Sequence, residues 1–408
     1  MSILIRITTV VLLSCIPSLA ADWATWLGPH RDGKSAETGL PASWPEGGPE
    51  LVWSATGLGE GYASMAVVGN RVYTQGQEAG QEFVLALDVA TGNQIWKTAV
   101  GKAYENPQGN GPRGMPQVDG DRVYAVSAEG NLVCLATETG EVVWDIYYAD
   151  QFDSIIPKWG FTESPLVDGG RLVINPGGKN AGIVALDKAT GDVIWQSQND
   201  LAAYSSVLAF DFGGLHIYAA MTASAAIGVN AEDGSLLWRY EKASNGWGIN
   251  IATPVYADGH VFYSTDYDHG SLMLRLSAEG GTVTASEVYF TGNMQNHFMT
   301  SVKIGDHLYG FSGNQPAILV AMKFETGEVA WRDRSVNKGN CILAEGLLYC
   351  QGETGVIGLI EPSPEGYREI SRFQISRGRW NTWAYPAIAN GRLYIRDQDN
   401  LYAYDISR

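Results

Sequence analysis

The residues that could bind a ligand are concentrated in five segments that combine Trp and Arg with amides and a carboxylate. The segments are residues 102–115, 147–163, 244–253, 291–300 and 376–383. Trp rings stack on planar groups and Arg pairs with carboxylates, so this mixture is suited to a planar anionic ligand. The candidate binding residues are Asn110, Arg113, Trp159, Glu163, Trp247, Asn250, Arg379 and Trp383.

Each candidate also has a structural explanation. Glu163 precedes a Ser-Pro pair, where it can cap the start of a strand or pair with Arg113. The Trp side chains are equally suited to packing in a wall. No metal site is predicted, because His297 has no second His or Cys at ligand spacing and Asp266-Tyr267-Asp268 lacks the rest of a calcium loop. The spacing of Ser, His and Asp residues does not indicate a catalytic triad, so no catalytic residues are predicted.

A repeated phrase shows which elements position these segments. Thr-Gly or Asp-Gly followed by three residues and Trp occurs five times, and the gaps between successive Trp residues are 48, 51, 43 and 93 positions. A period in the forties indicates one supersecondary unit repeated along the chain. The longest gap covers two units, with a degenerate turn at residues 278–281 and Val288 near the Trp position. The five Trp residues are 96, 144, 195, 238 and 331.

Each unit has the pattern of four antiparallel strands. Its apolar runs are short, rich in β-branched and aromatic residues, and broken at Asp-Gly, Gly-Asn and Thr-Gly turns. Three strands remain at Trp383–Asp405 and one at Leu51–Trp53, which together make an eighth unit. Seven units lie near residues 57–98, 110–146, 160–197, 204–240, 250–290, 298–333 and 338–375.

The sequence therefore predicts an all-β fold, an eight-bladed β-propeller with four-stranded antiparallel blades and Trp-docking repeats over residues 50–408. Pairing of the N- and C-terminal strands would close the ring and cover its last open edge. Loops that join one blade to the next surround a central funnel in such a ring, so the candidate residues should converge on one face.

The N-terminus has the pattern of an export signal. Arg6, the apolar run of residues 7–16 and the small residues before Ala21 predict a signal peptide over residues 1–20, followed by a lead-in segment over residues 21–49. A signal peptide of this kind favours a periplasmic or secreted protein. An alternative is lipid anchoring at Cys15, because the preceding residues resemble a lipobox. No later segment is apolar enough to be predicted as a transmembrane helix.

The net charge of the chain argues against one class of partner. The formal net charge of −17 repels phosphate backbones, so a nucleic acid partner is not expected.

Cys341 and Cys350 lie symmetrically about the turn at residues 345–346, where they would face each other across a hairpin and could form a disulfide in an oxidising compartment. Cys134 is then expected to be single and buried.

The repeats resemble those of the pyrroloquinoline quinone (PQQ) family of eight-bladed propellers, whose phrase is Ala-x-Asp-x-x-Thr-Gly-x-x-x-Trp. Residues 86–96 and 185–195 match it almost fully, and the resemblance covers nearly the whole chain after residue 20. The lead-in from Trp23 to Gly33 resembles the Trp-x-x-Trp-x-Gly-Pro-x-Arg-x-Gly opening of exported bacterial members.

This resemblance implies one of two functions. One branch contains quinoprotein alcohol dehydrogenases, which hold PQQ and calcium in the funnel under a ring made of adjacent cysteines. The other contains the propeller lipoprotein of outer-membrane barrel assembly, which binds protein. This chain lacks adjacent cysteines. The expectation is therefore a monomeric binding or assembly scaffold with a protein, peptide or small-molecule ligand in the funnel and no cofactor assigned. The alternative is a small dehydrogenase that uses PQQ with Ca²⁺ to oxidise alcohols or polyols.

Overall fold

The computed structural model describes residues 21–407, and these form a closed ring of eight blades. Each blade is a sheet of four antiparallel strands, which gives 32 strands in the described part of the chain. Helix is limited there to α1 (Tyr148–Phe152) and a 3-10 turn at Glu241–Ala243. The predicted eight-bladed all-β propeller is confirmed.

The strands follow one another around the ring in chain order. The first strand, β1 (Glu50–Ala55), is the outermost strand of blade 8. Blade 1 contains β2 (Ala66–Val68), β3 (Arg71–Glu78), β4 (Gln81–Asp88) and β5 (Gln94–Lys102). Blade 2 contains β6 (Gln117–Asp119), β7 (Arg122–Val126), β8 (Asn131–Ala136) and β9 (Val142–Tyr147). Blade 3 contains β10 (Leu166–Asp168), β11 (Arg171–Ile174), β12 (Ile183–Asp187) and β13 (Val193–Ser197).

The remaining blades repeat this order. Blade 4 contains β14 (Leu208–Phe212), β15 (Leu215–Met221), β16 (Ala226–Asn230) and β17 (Leu236–Tyr240). Blade 5 contains β18 (Val255–Ala257), β19 (His260–Thr265), β20 (Gly270–Glu279) and β21 (Thr282–Thr291). Blade 6 contains β22 (Val302–Ile304), β23 (His307–Ser312), β24 (Ile318–Lys323) and β25 (Val329–Asp333). Blade 7 contains β26 (Gly339–Ala344), β27 (Leu347–Gly352), β28 (Val356–Glu361) and β29 (Arg368–Gln374), and blade 8 contains β30 (Ala387–Ala389), β31 (Arg392–Asp397), β32 (Asn400–Asp405) and β1.

The repeated Trp docks its own blade on the next one. The Trp195 indole N–H of blade 3 donates to the carbonyl of Ala231 in blade 4 at 3.1 Å, and its ring packs on Gly234. A Cβ at Gly234 would lie 2.6 Å from that ring, and the φ of +72° disfavours other residues as well. The glycine of the phrase is therefore required both by the turn and by the neighbouring indole. Equivalent N–H to carbonyl bonds join Trp53 to Val89, Trp96 to Thr137, Trp144 to Lys188 and Trp331 to Ser363.

The degenerate blade 5 keeps this docking with another residue. Tyr289, one position after Val288, pairs with Met273 in the sheet as each Trp pairs with its small partner. The Tyr289 hydroxyl donates to the carbonyl of Phe324 at 2.8 Å, and its ring packs on Gly327. The assignment of the Trp position to Val288 is therefore corrected by one residue.

The two ends of the chain meet in blade 8. β1 pairs antiparallel with β32, and Trp53 lies opposite Ala403. Arg396 of β31 fixes the joint, because its buried guanidinium donates to Thr74 Oγ1 of blade 1 at 2.7 Å and to the carbonyls of Ala63 and Gly59. Main-chain pairing and a charged side chain thus close the ring together.

Residues Trp23–Ser35, called the plug below, fill one end of the central channel. The main chain of Trp23 pairs with Val67 of blade 1, and the Ser35 N–H donates to the carbonyl of Leu343 in blade 7 at 2.8 Å. Gly33 packs on Val302 of blade 6. The plug touches all eight blades, the other contacts being with Val118, Pro165, Val207, Thr253 and Ile388.

The cysteines take the expected places. Cys341 and Cys350 face each other in β26 and β27 and form a disulfide with Cα atoms 4.2 Å apart. Cys134 is buried and single, opposite Trp144, where its small side chain leaves room for the indole. The predicted leader and Cys15 lie outside the described residues. Within residues 21–407 no helix has the length and hydropathy needed to cross a membrane.

Candidate functional site

The loops that connect successive blades converge on a cavity of about 690 Å³ at the open end of the central channel. Its floor is Trp26 of the plug together with Tyr385, whose rings meet edge-to-face with centroids 5.3 Å apart. Trp26 is held by an indole N–H bond to Thr253 Oγ1 at 3.0 Å. The cavity is therefore a blind funnel, closed below by the plug.

Seven aromatic rings line the funnel in one connected series, called the aromatic collar below. Neighbouring ring centroids are 5.0 to 6.5 Å apart, within the range of favourable aromatic contacts. The loops of six blades contribute to it, so that the collar surrounds the cavity. Its members in order of contact are Tyr204, Trp159, Tyr267, His297, Phe298, Trp383 and Tyr62.

Arg113 links Tyr62, at one end of the collar, to Trp159 near the other end. Its guanidinium lies 4.8 Å from the Tyr62 ring centre and donates to the carbonyl of Trp159 at 3.1 Å and of Gly109 at 2.8 Å. Burial lowers the pKa of Arg113. The side chain is thus fixed by carbonyls and presents an aromatic-stacked cation to the cavity.

Lys338 is the most enclosed cation that lines the cavity. Its residue is 5% exposed, and its Nζ lies 5.2 Å from the Phe298 ring and 5.7 Å from the Trp383 ring. Nζ donates to Asn314 Oδ1. Burial lowers the pKa of Lys338 to about 8, with Glu353 and Asp266 acting in the opposite direction, so the ammonium form persists at neutral pH.

His297 differs from the lysine beside it. Burial and then the charge of Lys338 lower the pKa of His297 to about 3. Its ring is neutral at physiological pH and serves as an aromatic member of the collar.

Four of the eight predicted binding residues line the funnel. Arg113, Trp159 and Trp383 belong to its wall, and Trp247 stands at its mouth with 77% exposure. Trp383 is oriented by an indole N–H bond to Glu353 Oε2 at 2.8 Å.

The other four lie outside the cavity lining. The Asn110 amide donates to Glu60 in a loop, and the Asn250 amide donates to the carbonyl of Thr222 at 2.8 Å. Arg379 is exposed and stacks on Trp380 at 5.3 Å. These placements follow from local loop geometry, in which amide side chains satisfy neighbouring backbone groups.

Glu163 is buried beneath the funnel wall. Its carboxylate accepts from the Asn175 N–H at 2.6 Å and from the Tyr148 hydroxyl at 3.0 Å. Burial raises the pKa of Glu163 to about 7. Asn175 follows the last residue of β11, so the carboxylate caps the end of a strand and not the strand start that the sequence suggested. Arg113 instead bonds backbone carbonyls.

Sequence reasoning missed Tyr62, Lys338 and Glu353, all of which line the cavity. Lys338 ends a short loop between blades 6 and 7 that contains no Trp. The signal that could identify it is positional, because Lys338 immediately precedes β26, the first strand of its blade.

The donor set of the funnel does not fit calcium. Ca²⁺ requires six to eight oxygen ligands, usually with several carboxylates. Among the described residues, no group of three or more His, Cys, Asp or Glu side chains could hold a metal. Glu353 is the carboxylate that lines the cavity, and it already accepts from Trp383 and Asn381, with Lys338 close by. A calcium-dependent quinone site is therefore not supported by these residues.

An apolar ridge continues from the funnel mouth across blades 5, 4 and 3. We use this name for Trp247, Leu201 and Ile155, which are 77%, 50% and 64% exposed. Their loops touch in series. Gly248 packs on Ala223, whose N–H donates to the Leu201 carbonyl at 3.1 Å.

The series continues from Leu201 to Ile155 through the loop at Gly177. Gly177 packs against the backbone of residues 201–202, and its carbonyl accepts from Ser154 Oγ at 2.5 Å. Exposed apolar side chains of this size on adjoining loops are typical of protein interaction sites. The ridge and the funnel together form the candidate binding surface.

Comparison with known proteins places the chain in a family. A sequence profile described as outer membrane protein assembly factor BamB matches residues 80–333. The outer membrane protein assembly factor BamB of Burkholderia pseudomallei is 26% identical over 200 residues, which cover 41% of this chain and 50% of that protein. The quinohemoprotein alcohol dehydrogenase ADH IIB of Pseudomonas putida is 29% identical over 121 residues, covering 28% of this chain and 17% of that enzyme.

A solved structure agrees on the fold. The crystal structure of BamB from Moraxella catarrhalis superposes with a TM-score of 0.60 at 15% identity, covering 87% of this chain and 97% of that one. The matched segments span half or less of the length of the curated relatives named above. The profile, in contrast, covers more than half of this chain. The chain therefore belongs to the PQQ-repeat propeller family that is described as outer membrane protein assembly factor BamB.

Proposed function

We propose that this chain is a periplasmic binding and assembly scaffold that docks a protein partner on its funnel face. The family profile and the Burkholderia relative both carry the description of an assembly factor, which supports this function. A closed ring with a plugged channel is rigid, and a rigid surface loses little conformational entropy on binding.

The apolar ridge is the observation that carries the proposal. Trp and other large apolar residues dominate the binding energy of protein interfaces, and a Trp at 77% exposure is costly to leave in water. The ridge lies beside the mouth of the funnel, so that one partner can contact both. A small-molecule oxidoreductase needs no apolar surface outside its cavity.

The ridge can be tested with a matched pair of double variants. We expect Leu201→Glu with Trp247→Glu to weaken co-purification of the outer-membrane assembly machinery at least tenfold, because two charges would be buried in the interface. The control is Ile194→Glu with Leu236→Glu, which are 46% and 45% exposed on outer strands away from the funnel. Retained binding by the ridge variant, or equal loss by the control, would contradict the proposal.

The dehydrogenase alternative can be tested on the same protein. PQQ with Ca²⁺ is titrated against Trp fluorescence, and dye reduction is followed with simple alcohols and polyols. We expect no turnover, because the funnel lacks a calcium donor set. Saturable binding with turnover would overturn the scaffold function.

Export is tested separately by N-terminal sequencing of the protein from its native cells. We expect a mature chain that begins near Ala21. A chain that begins at Cys15 with an added lipid mass would instead establish anchoring.

A further inference from the structure

We propose that the funnel receives the free carboxyl terminus of an extended polypeptide, with the terminal carboxylate on Lys338 and the last side chain in the aromatic collar. This inference rests on the proposed scaffold function, since it names what the docked partner presents. Four properties of the funnel lead to it: its charge, its enclosed cation, its closed floor and its apolar exit.

The charge of the funnel is opposite to that of the whole chain. The chain carries a formal charge of −17, yet the cavity lining contains three cations, Arg113, Lys158 and Lys338, and one carboxylate, Glu353. That carboxylate is engaged by Trp383 and Asn381. The buried carboxylate of Asp266, outside the lining, also acts on Lys338, which still leaves the cations in excess. An anionic group that approaches the protein is therefore attracted to the funnel and repelled elsewhere. The same charges disfavour an amino terminus.

Lys338 is positioned to pair with such an anion. An ammonium group has three N–H donors, and within the described chain the side-chain acceptor bonded to Nζ is Asn314 Oδ1. The rings of Phe298 and Trp383 cover the cation from the side and keep water from it. A carboxylate in the cavity would accept the remaining donors in charge-assisted hydrogen bonds, which are strong at a site of low dielectric.

The floor of the funnel selects a chain end. Trp26 and Tyr385 close the cavity below, and the plug behind them touches every blade. A segment that enters from the mouth must therefore terminate inside. The collar surrounds the place where its last side chain would lie, and aromatic walls favour an apolar or aromatic residue there.

The exit of the funnel favours a polypeptide over a small molecule. Trp247 both lines the cavity and begins the apolar ridge. Residues that precede the terminus would leave the mouth along Trp247 and Leu201, so that side chains outside the cavity also add to binding. A single amino acid or a small carboxylate would make none of these contacts.

The test compares ligands that differ only at the terminus. N-acetyl-Ala-Val-Ala-Phe is titrated as the free acid and as the C-terminal amide, with Trp fluorescence and calorimetry as measurements. We expect the acid to bind at least tenfold more tightly. Lys338→Met should reduce the acid to the affinity of the amide, whereas Lys338→Arg should keep the preference. Lys179→Met, an exposed lysine outside the cavity, is the control for general charge attraction and should change neither affinity.

One further ligand and one further variant complete the design. N-acetyl-phenylalanine should bind at least tenfold more weakly than the tetrapeptide acid, and Trp247→Ala, which adds no charge, should weaken only the tetrapeptide. Equal affinity of acid and amide, or no binding of either, would overturn the inference. Equal affinity of N-acetyl-phenylalanine and the tetrapeptide would overturn it as well, in favour of a small carboxylate. None of these results depends on the co-purification experiment with the ridge variants. The proposed scaffold function is therefore tested separately from the ligand of the funnel.

Discussion

The two ends of the central channel each hold a buried cation, and the two cations differ in how many hydrogen-bond acceptors surround them. In the plug, Arg31 is 4% exposed and donates to the carbonyl of Val207 at 2.6 Å, to that of Ser164 at 3.1 Å and to Gln117 Oε1 at 3.1 Å. In the funnel, Lys338 is equally enclosed and bonds Asn314 Oδ1. One cation is surrounded by acceptors, and the other faces a cavity.

This difference separates a structural residue from a binding residue. Buried polar groups with a full set of partners fix one conformation, whereas an enclosed charge with few partners costs stability and is retained where function uses it. Burial lowers the pKa of Arg31 to about 9, and Glu163 opposes the shift, so Arg31 stays charged and bonded at neutral pH. The plug is therefore the rigid base on which the funnel is built.

Removing the plug cation should have the largest effect. Arg31→Met would leave the carbonyls of Ser164, Pro165 and Val207 buried without their donor, and we expect a loss of about 3–5 kcal/mol in the free energy of unfolding. Denaturant unfolding followed by circular dichroism measures it. Arg31→Lys, which keeps the charge but not the planar fork, should lose less. A change below about 1 kcal/mol for the Met variant would remove the distinction between the two ends.

The ring could be predicted from the sequence because its determinants are local. The Thr-Gly turn and the Trp lie five residues apart, and the phrase recurs often enough to count blades. The docking role of Tyr289 was not predicted, because the repeated phrase is degenerate in blade 5 and another aromatic residue replaces the Trp. The plug could be recognised as a motif but not placed, since Trp26 meets Thr253 across 227 positions and Arg31 meets Val207 across 176.

The candidate site was predictable only in part for the same reason. Arg113, Trp159, Trp247 and Trp383 could be predicted to line the funnel from their loop positions alone, because every inter-blade loop faces the funnel. Loop position does not tell which side chains turn away to satisfy backbone groups, as Asn250 does. The enclosure of Lys338 depends on rings from blades 6 and 8 and has no local sequence signal.

A glycine substitution at a Trp contact between blades should have the second-largest effect on stability. We expect Gly234→Ala to cost about 1–3 kcal/mol more than Gly214→Ala, because overpacking adds to backbone strain. Both glycines have positive φ, +72° and +83°, but a Cβ at Gly234 would lie 2.6 Å from the Trp195 ring and one at Gly214 would meet nothing within 4 Å. Thermal unfolding of the two variants is the measurement. Equal destabilisation would mean that the indole contributes no steric requirement.

Replacing the funnel cation should change stability in the opposite direction from Arg31→Met. Lys338→Met removes an enclosed charge, and we expect the free energy of unfolding at pH 7 to stay within about 1 kcal/mol or to rise. The folded-state pKa of about 8 lies below that of an unfolded lysine, so the penalty is present below pH 8 and is relieved as pH rises towards 10. Any advantage of the variant should therefore shrink over that interval. A loss comparable to that of Arg31→Met would show that Lys338 is structural.

The smallest expected effect lies on the outside of the ring, where a charged group is neither enclosed nor facing a cavity. His216 joins blades 3 and 4, with its ring nitrogens 2.6 Å from Asp211 Oδ1 and 2.8 Å from Asp168 Oδ2. Desolvation lowers the pKa of His216, but the hydrogen bond to Asp211 and the charge of Asp168 outweigh it and raise the pKa overall.

Because the folded-state pKa of His216 is raised, its contribution is complete below the unfolded value near 6.5 and is lost as pH rises through the folded value. Solvent screening limits the contribution to less than about 1 kcal/mol. We expect the unfolding free energy of the wild type to fall relative to His216→Gln between pH 6 and 8, and to fall less in high salt. Identical pH profiles for the two proteins would show that this exposed pair adds nothing, and that the chain uses charge for stability only where it is enclosed.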